Sequence, residues 1–459
     1  MHELPVGLAT EPFSRTAGPE ACYQQPETLG RLIRDAARFA GLGRKDPEAP
    51  LQDVIQPGMK VLLKPNWVRH LNASGHGMAC MVTQSAFILA ALEEVLKANP
   101  ARIVIGDAPV QSCQWDALAT PEFRSRAEAL AASRGAKVEF IDFRRTIATQ
   151  RSLSEGIKTR VRDLSRYLLF DLGSDSLLGP VSQPQGRFRV TQYDPDKLAQ
   201  THHPGTHQYL LCREAFEADV ILSLPKLKMH RKAGMTGALK NLVGLNGNKE
   251  YLPHHRLGGT ASGGDCYRGR GFLKRMAEFF YDQANRNIGN SRYQWWTRAA
   301  SLAGLSTTTA QGGLEGGWYG NDTCWRMVLD LNRILLYGRP DGTMADGPQR
   351  KLYSLTDAIV CGQGEGPLAP SPLVVGAVTF SNCAPASDAI HAAMLRLDYR
   401  RIAMIREAFG RFRWPLAPEG AVPTAVCSGR SLSVNEVAET VGVKAQLPAG
   451  WAGHAEWNG

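Results

Sequence analysis

Five side chains that carry or can take up positive charge, Lys226, Lys228, His230, Arg231 and Lys232, fall within seven consecutive positions of this chain. In an extended segment successive side chains alternate in direction, so Lys226, Lys228 and His230 project to one side. Their repulsion must be offset by an anion, by carboxylates or by solvent. Gly234, Thr236 and Gly237 follow, residues that let the backbone approach a ligand closely, and they lead into a short helical pattern at 238–242 carrying Lys240 and Asn241. Backbone N–H groups at a helix start favour negative charge, so a phosphate, sulfate or carboxylate is expected against Thr236, Gly237 and Lys240. Lys228, His230 and Lys240 are the candidate catalytic residues. A lysine crowded by other cations has a lowered pKa, and a neutral amine can take a proton or attack a carbonyl, which serves isomerases, racemases and lyases. The plainer alternative is a solvated basic loop followed by ordinary turns.

The elements that position these residues are read from hydrophobic pattern. Residues 219–224 make a buried strand ended by Pro225, which has no N–H for the ladder. Residues 59–63 make another, delivering Lys64, Pro65 and Asn66 at its C-terminal end, where open α/β sheets place ligands. Lys64, Asn66, Lys226, Thr236, Gly237 and Asn241 are therefore the candidate substrate-binding residues. The strand at 102–105 ends in Gly106 and Asp107, an aspartate with three open roles: metal ligand, partner of a substrate hydroxyl, or helix cap. Residues 138–141 followed by Asp142 repeat this layout, and helical patterns at 29–42 and 84–97 complete a series of βα units. Further on, 355–360 and 373–380 read as strands, with Asp357 and Glu365 placed to neutralise the lysines or to act as a proton-transfer pair. Asp388 begins the next helix as a cap. His202, His203 and His207 tempt a metal assignment, but Pro204 and Gly205 interrupt the helix that would align them, and a solvent-exposed loop is the reading they favour. The glycine-rich 312–323 follows no clear strand and lacks the Gly-Lys-Ser/Thr ending of a nucleotide loop.

The strings LPKLKMH and TGALKNLVG at 224–244, with LKPNWV, IGDAPV and ASDAI elsewhere, resemble the DUF362 family, a domain of unknown function, over about 61–410. Thr83 resembles the threonine that begins that family's next helix. The resemblance implies an α/β fold and a site at these motifs, and names no reaction. Many relatives carry a ferredoxin-like cysteine module. Here the nine cysteines never form a CxxC, and no built-in iron–sulfur cluster is expected.

The 459 residues, 43% hydrophobic and 21% charged, suffice for a large core. The fold class expected is α/β, with a mostly parallel sheet flanked by helices, in two lobes with a loop-rich insertion. The divisions are an N-terminal extension at 1–28, a lobe at 29–250, a cover segment at 251–325, a C-terminal α/β part at 326–430 and a tail at 431–459. The formal charge of +10 is spread along the chain without a nucleic-acid-binding pattern, so the partner expected is a small anionic metabolite, with a homo-oligomer open. Neither a signal peptide nor an apolar run long enough to span a bilayer is read, and unclustered cysteines point to a reducing compartment, the cytoplasm. Two functions compete. One is an enzyme acting on a phosphate- or carboxylate-bearing metabolite through its lysines. The other is an accessory protein that holds a divalent metal or a cofactor, with Asp107, His254, His255 and Glu365 as metal ligands beside His230.

Overall fold

Alternation of side chains organises the molecule. In the computed structural model, which describes residues 3–13, 18–148, 157–159, 162–304 and 314–459, strands whose successive side chains point to opposite faces assemble into one 11-stranded sheet. In chain order these are β1 (Glu3–Thr10), β2 (Lys60–Pro65), β3 (Arg102–Asp107), β4 (Lys137–Asp142), β5 (Val220–Leu224), β6 (Lys226–His230), β7 (Gly234–Thr236), β8 (Lys351–Glu365), β9 (Ala369–Ser381), β10 (Val422–Cys427) and β11 (Arg430–Ser433). The spatial order is β11-β10-β1-β9-β8-β5-β2-β3-β4, with β6 pairing β8 and β7 pairing β6. β4, β3, β2, β5 and β8 run parallel, as do β6 with β8 and β1 with β10; the β8–β9 hairpin, β1 with β9, β6 with β7 and β10 with β11 are antiparallel.

Each face of the sheet has its own core. Val61, Leu63, Ile103, Ile105, Val220 and Leu222 point to one face, where they meet α1 (Pro26–Phe39), α2 (Ser85–Leu96) and α3 (Pro121–Ala132). Leu62, Val104 and Ile221, the residues between them, point to the other face with α7 (Cys324–Tyr337) and α8 (Ala384–Met394). The helices are amphipathic for the same reason: α1 buries Leu29, Leu32, Ile33, Ala36 and Ala37, one stripe of a 3.6-residue period. The α/β class stands, and strands from the C-terminal part pair directly with β5 in the same sheet. The segment at 1–28 also enters the fold. β1 lies between β9 and β10, and a Cβ on Gly7 would sit 1.9 Å from Ala36 O of α1. The segment at 431–459 adds α9 (Val434–Thr440) and buries Trp451.

Strands Tyr167–Asp171 and Thr206–Cys212 form a smaller sheet with His202–His203. Here the expected exposed histidine loop is corrected: His202 and His207 are paired residues of an antiparallel bridge, both 0% exposed. Burial holds them uncharged, with the His207 ring adding to the effect on His202, so that they are pushed down to about 3 and about 4. The short helix α4 (Ala238–Asn241) follows β7, and α5 (Phe272–Arg286) and α6 (Arg292–Gly304) form a hairpin in the cover segment. The end of the aromatic stretch at 292–308 and the first glycines of 312–323 lie outside the described residues. Among the described residues no helix is long and apolar enough to cross a membrane.

Candidate active site

The chain visits β2, β3 and β4 in one direction across the sheet and then returns to the other side of β2 with β5. The ends of β2 and β5 therefore flank a switch point, the place where parallel sheets leave a crevice at their C-terminal edge. Thr83 fastens these two ends together. Its hydroxyl accepts from Asn66 N at 2.9 Å and donates to Leu224 O at 2.7 Å, whereas the start of α2 at Gln84 has no side-chain cap.

From this clamp a buried polar network grows. Lys64 Nζ donates to Asp107 Oδ1 at 2.8 Å and to Asn241 Oδ1 at 3.2 Å, and the other carboxylate oxygen, Asp107 Oδ2, accepts from Trp67 N at 2.6 Å. Asn241 turns its amide nitrogen to Lys64 O and Ser223 Oγ, and its oxygen also accepts from Asn66 Nδ2 at 3.1 Å. Asn66 Oδ1 in turn accepts from Lys228 Nζ at 2.6 Å. Gly244 closes the network sterically, since a Cβ there would lie 1.9 Å from Asp107 Oδ1. Lys64, Asn66, Asp107, Lys228 and Asn241 are thus brought together, as their positions after successive strands implied. Asp107 serves as the counter-charge of Lys64.

Beside the network lies a cavity of about 760 Å³, within the range of small-molecule sites. Trp67, Val110, Val190, Tyr193, Leu252 and Leu368 give it apolar walls, and Lys228, Lys232, Lys240 and Lys249 are among its lining residues. Three of these have protein partners: Lys228 donates to Asn66 Oδ1 and Met81 O, Lys232 to Thr191 Oγ1 at 3.0 Å, and Lys249 to Ala108 O at 2.7 Å. Lys240 has none among the described residues, although it is only 7% exposed. Thr236, also lining the cavity, has a buried Oγ1 with no hydrogen-bond partner among the described residues.

Two histidines complete the lining. His230 Nδ1 accepts from Lys232 N at 3.1 Å and Ala233 N at 3.2 Å, which places the proton of the neutral ring on Nε2. His254 Nδ1 sits 2.7 Å from Leu252 O and must donate to it, which leaves the Nε2 lone pair free. Burial and the neighbouring lysines push both rings well below their ordinary value, so both are neutral near pH 7. One offers a donor and the other an acceptor.

Burial first, and the charge of Lys226 second, bring the Lys228 amine down to about 7, and burial brings Lys249 to about 8. A bound anion favours their charged forms. Affinity for phenylacetate, whose own charge is constant from pH 6 to 9, is therefore expected to fall as pH rises through about 7 and about 8. Calorimetry in buffers of different ionisation heat should show proton uptake on binding, and Lys228→Met should flatten the lower step. In the ligand-free protein the sign is opposite. The unfolded chain holds these protons when the fold does not, so stability rises with pH from about 7 toward ~10.

Several expected positions are corrected. Lys226 does not reach the cavity: it is 0% exposed, and its amine donates to Asp357 Oδ2 at 2.7 Å and to Tyr23 OH at 2.6 Å. Asp357 is the residue paired opposite Lys226 where β6 lies beside β8, which places its carboxylate within reach of this amine. Asp357 is accordingly a neutralising partner. Asp357→Ala leaves a buried ammonium uncompensated and is expected to cost about 3–5 kcal/mol, read by chemical denaturation. Lys226→Met combined with Asp357→Leu should recover most of that loss.

The start of α4 is likewise taken. Ala238 N and Leu239 N donate to the Asp388 carboxylate at 2.6 and 3.0 Å, and a Cβ on Gly237 would lie 2.1 Å from Asp388 Oδ1. The anion expected at Gly237 is thus the protein's own, and Asp388 caps α4 as well as holding His391 Nδ1 at 2.9 Å. The four expected metal ligands do not gather. Asp107 is engaged with Lys64, half-exposed Glu365 pairs with Arg231 at 3.2 Å, and buried His255 lies outside the cavity that His254 lines. Among the described residues no three His, Cys, Asp or Glu side chains form a metal-holding group. Pattern reading missed Val190, Tyr193, Leu314, Glu315, Ala449 and Gly450, which line the cavity from loops without periodicity.

A search of the curated proteins finds no match. Among solved structures, a protein from Thermotoga maritima is similar at 10% identity, with 80% of this chain and 56% of that one covered and a TM-score of 0.33. The lactate racemase apoprotein from Thermoanaerobacterium thermosaccharolyticum is similar at 13% identity, with 61% and 46% covered and a TM-score of 0.23. The chain spans about half the length of each. A family model described as Domain of unknown function (DUF362) matches residues 184–393, which include LPKLKMH, TGALKNLVG and ASDAI, while LKPNWV and IGDAPV precede the matched stretch. The stretch that this model matches holds β5, β6, α4 and most of the cavity's charged groups.

Proposed function

We propose that the cavity is the active site of an enzyme acting on a small organic anion, a carboxylate or phosphate ester with an apolar body. The observation that carries this reading is Lys240: an amine with no hydrogen-bond partner among the described residues, lining a largely apolar chamber with three other lysines. Such a charge is costly to bury unless an anion completes it, and the apolar walls favour a ligand larger than inorganic phosphate.

The groups around Lys240 support proton-transfer chemistry of the isomerase, racemase or lyase kind. In neutral Lys228 both amine hydrogens are taken, by Asn66 Oδ1 and Met81 O, so its lone pair is the valence left for a substrate proton. His230 Nε2–H can donate to the oxygen on which negative charge then develops, and His254 Nε2 can accept from a donor on the substrate. Asn66 holds Lys228 directly, and Asn241, with Lys64 and Asp107 behind it, holds Asn66; none of these is assigned the proton.

A thermal-shift screen of small molecules tests the proposal. Phenylacetate, phenyl phosphate and related anions should raise the melting temperature, with larger apolar bodies raising it more. Stabilisation by amines or neutral aromatics alone would reject it.

A further inference from the structure

The hairpin of α5 and α6 presents an apolar face that no other described residues cover. Phe272, Leu273, Met276 and Phe279 are 77%, 45%, 37% and 53% exposed, and Trp295 and Leu302 are 71% and 72% exposed. The spacings 272, 276, 279 and 295, 302 put each set on one side of its helix. Charge on this hairpin is sorted by sign. Arg268, Arg270, Arg275, Arg292 and Arg298 are exposed. The acidic residues of the same stretch, Asp265, Glu278 and Asp282, are buried and used internally: Asp282 accepts from Arg189, Glu278 from Gly258 N and Asp265 from Thr323. From Thr260 to Leu302 every exposed charged side chain is a cation.

We propose that this face docks the protein on the surface of an anionic membrane, with the two helices lying in the plane of the interface. Phenylalanine, tryptophan and leucine side chains enter the acyl boundary while the arginines that alternate with them, Arg275 among the α5 residues and Arg298 between Trp295 and Leu302, stay at the lipid phosphates. Sorting by sign selects a lipid surface over a second copy of this chain, which would bring like charges together. At 15 and 13 residues the helices are too short to span, consistent with a surface position.

The test is co-sedimentation of the full chain with vesicles. Binding is expected to phosphatidylcholine vesicles containing phosphatidylglycerol, to fall by about tenfold or more on pure phosphatidylcholine, and to weaken as salt rises. Phe272→Ser with Trp295→Ser should lose at least about tenfold in binding without a change in melting temperature, because both side chains are exposed. Leu164→Ser, a change at a residue 55% exposed elsewhere on the surface, should bind as the unaltered protein does. Absence of binding to anionic vesicles at low salt overturns the proposal. So does binding unchanged in the double variant, or a dimer in sedimentation velocity that the double variant abolishes.

Discussion

Lys240→Ala is expected to weaken binding of phenylacetate or phenyl phosphate by about 30- to 1000-fold, the loss typical of removing one partner from a buried charge pair. The size of the effect follows from the division of labour in the cavity. Lys228, Lys232 and Lys249 each donate to a protein oxygen, and Arg231 pairs with Glu365, which leaves Lys240 as the amine with all of its donors available. Stability should not fall, since Lys240 has no partner to lose and its charge helps push His230, His254 and Lys249 down. Lys240→Arg should keep much of the affinity because the charge remains. Isothermal titration of the three proteins at constant pH measures all of this. Unchanged affinity in Lys240→Ala would mean that the anion lies elsewhere.

Lys228 carries the other large effect. If its lone pair takes a proton, Lys228→Met and Lys228→Arg should both lower turnover by about 10²- to 10⁴-fold, because arginine keeps the charge and cannot become neutral. A pH profile separates this role from simple packing. Turnover of the unaltered enzyme should rise as pH passes about 7 upward, the sign expected when the neutral amine is the active form, with the midpoint displaced upward by a bound anion. Lys240→Ala should raise the Lys228 amine toward its ordinary value, because Lys240 is among the cations that depress it. Appreciable turnover in Lys228→Arg would assign Lys228 to charge binding alone. The substrate for the assay is to be drawn from anions that stabilise the protein.

How far these groups could be read from sequence depends on how local their partners are. Strand ends were legible, because apolar runs stop at Lys64, Asp107 and Pro225, and parallel order then places them at one edge. That is why Lys64, Asn66, Asp107, Lys228 and Asn241 were found together. Lys226 was misplaced because the carboxylate that takes its charge, Asp357 opposite it in β8, lies 131 positions away. Gly237 was read as a ligand cradle because nothing within the motif reveals that Asp388, 150 positions after Ala238, caps the helix start. The strand at Glu3–Thr10 carries Pro5 and Gly7, which weaken its pattern, yet it pairs on both sides. His202 and His207 looked solvent-facing beside Pro204 and Gly205, whereas the turn those residues form is what folds the two rings against each other. The walls of the cavity come from loops, where residue type says little about direction.

A crystal soaked in phenyl phosphate tests the anion site most directly. The phosphoryl oxygens are expected within ~3 Å of Lys240 Nζ, the distance of a charge-assisted hydrogen bond, with the ring against the apolar walls near Trp67 and Leu252. No density in the cavity at a saturating concentration, or the anion bound only at surface arginines, would contradict it.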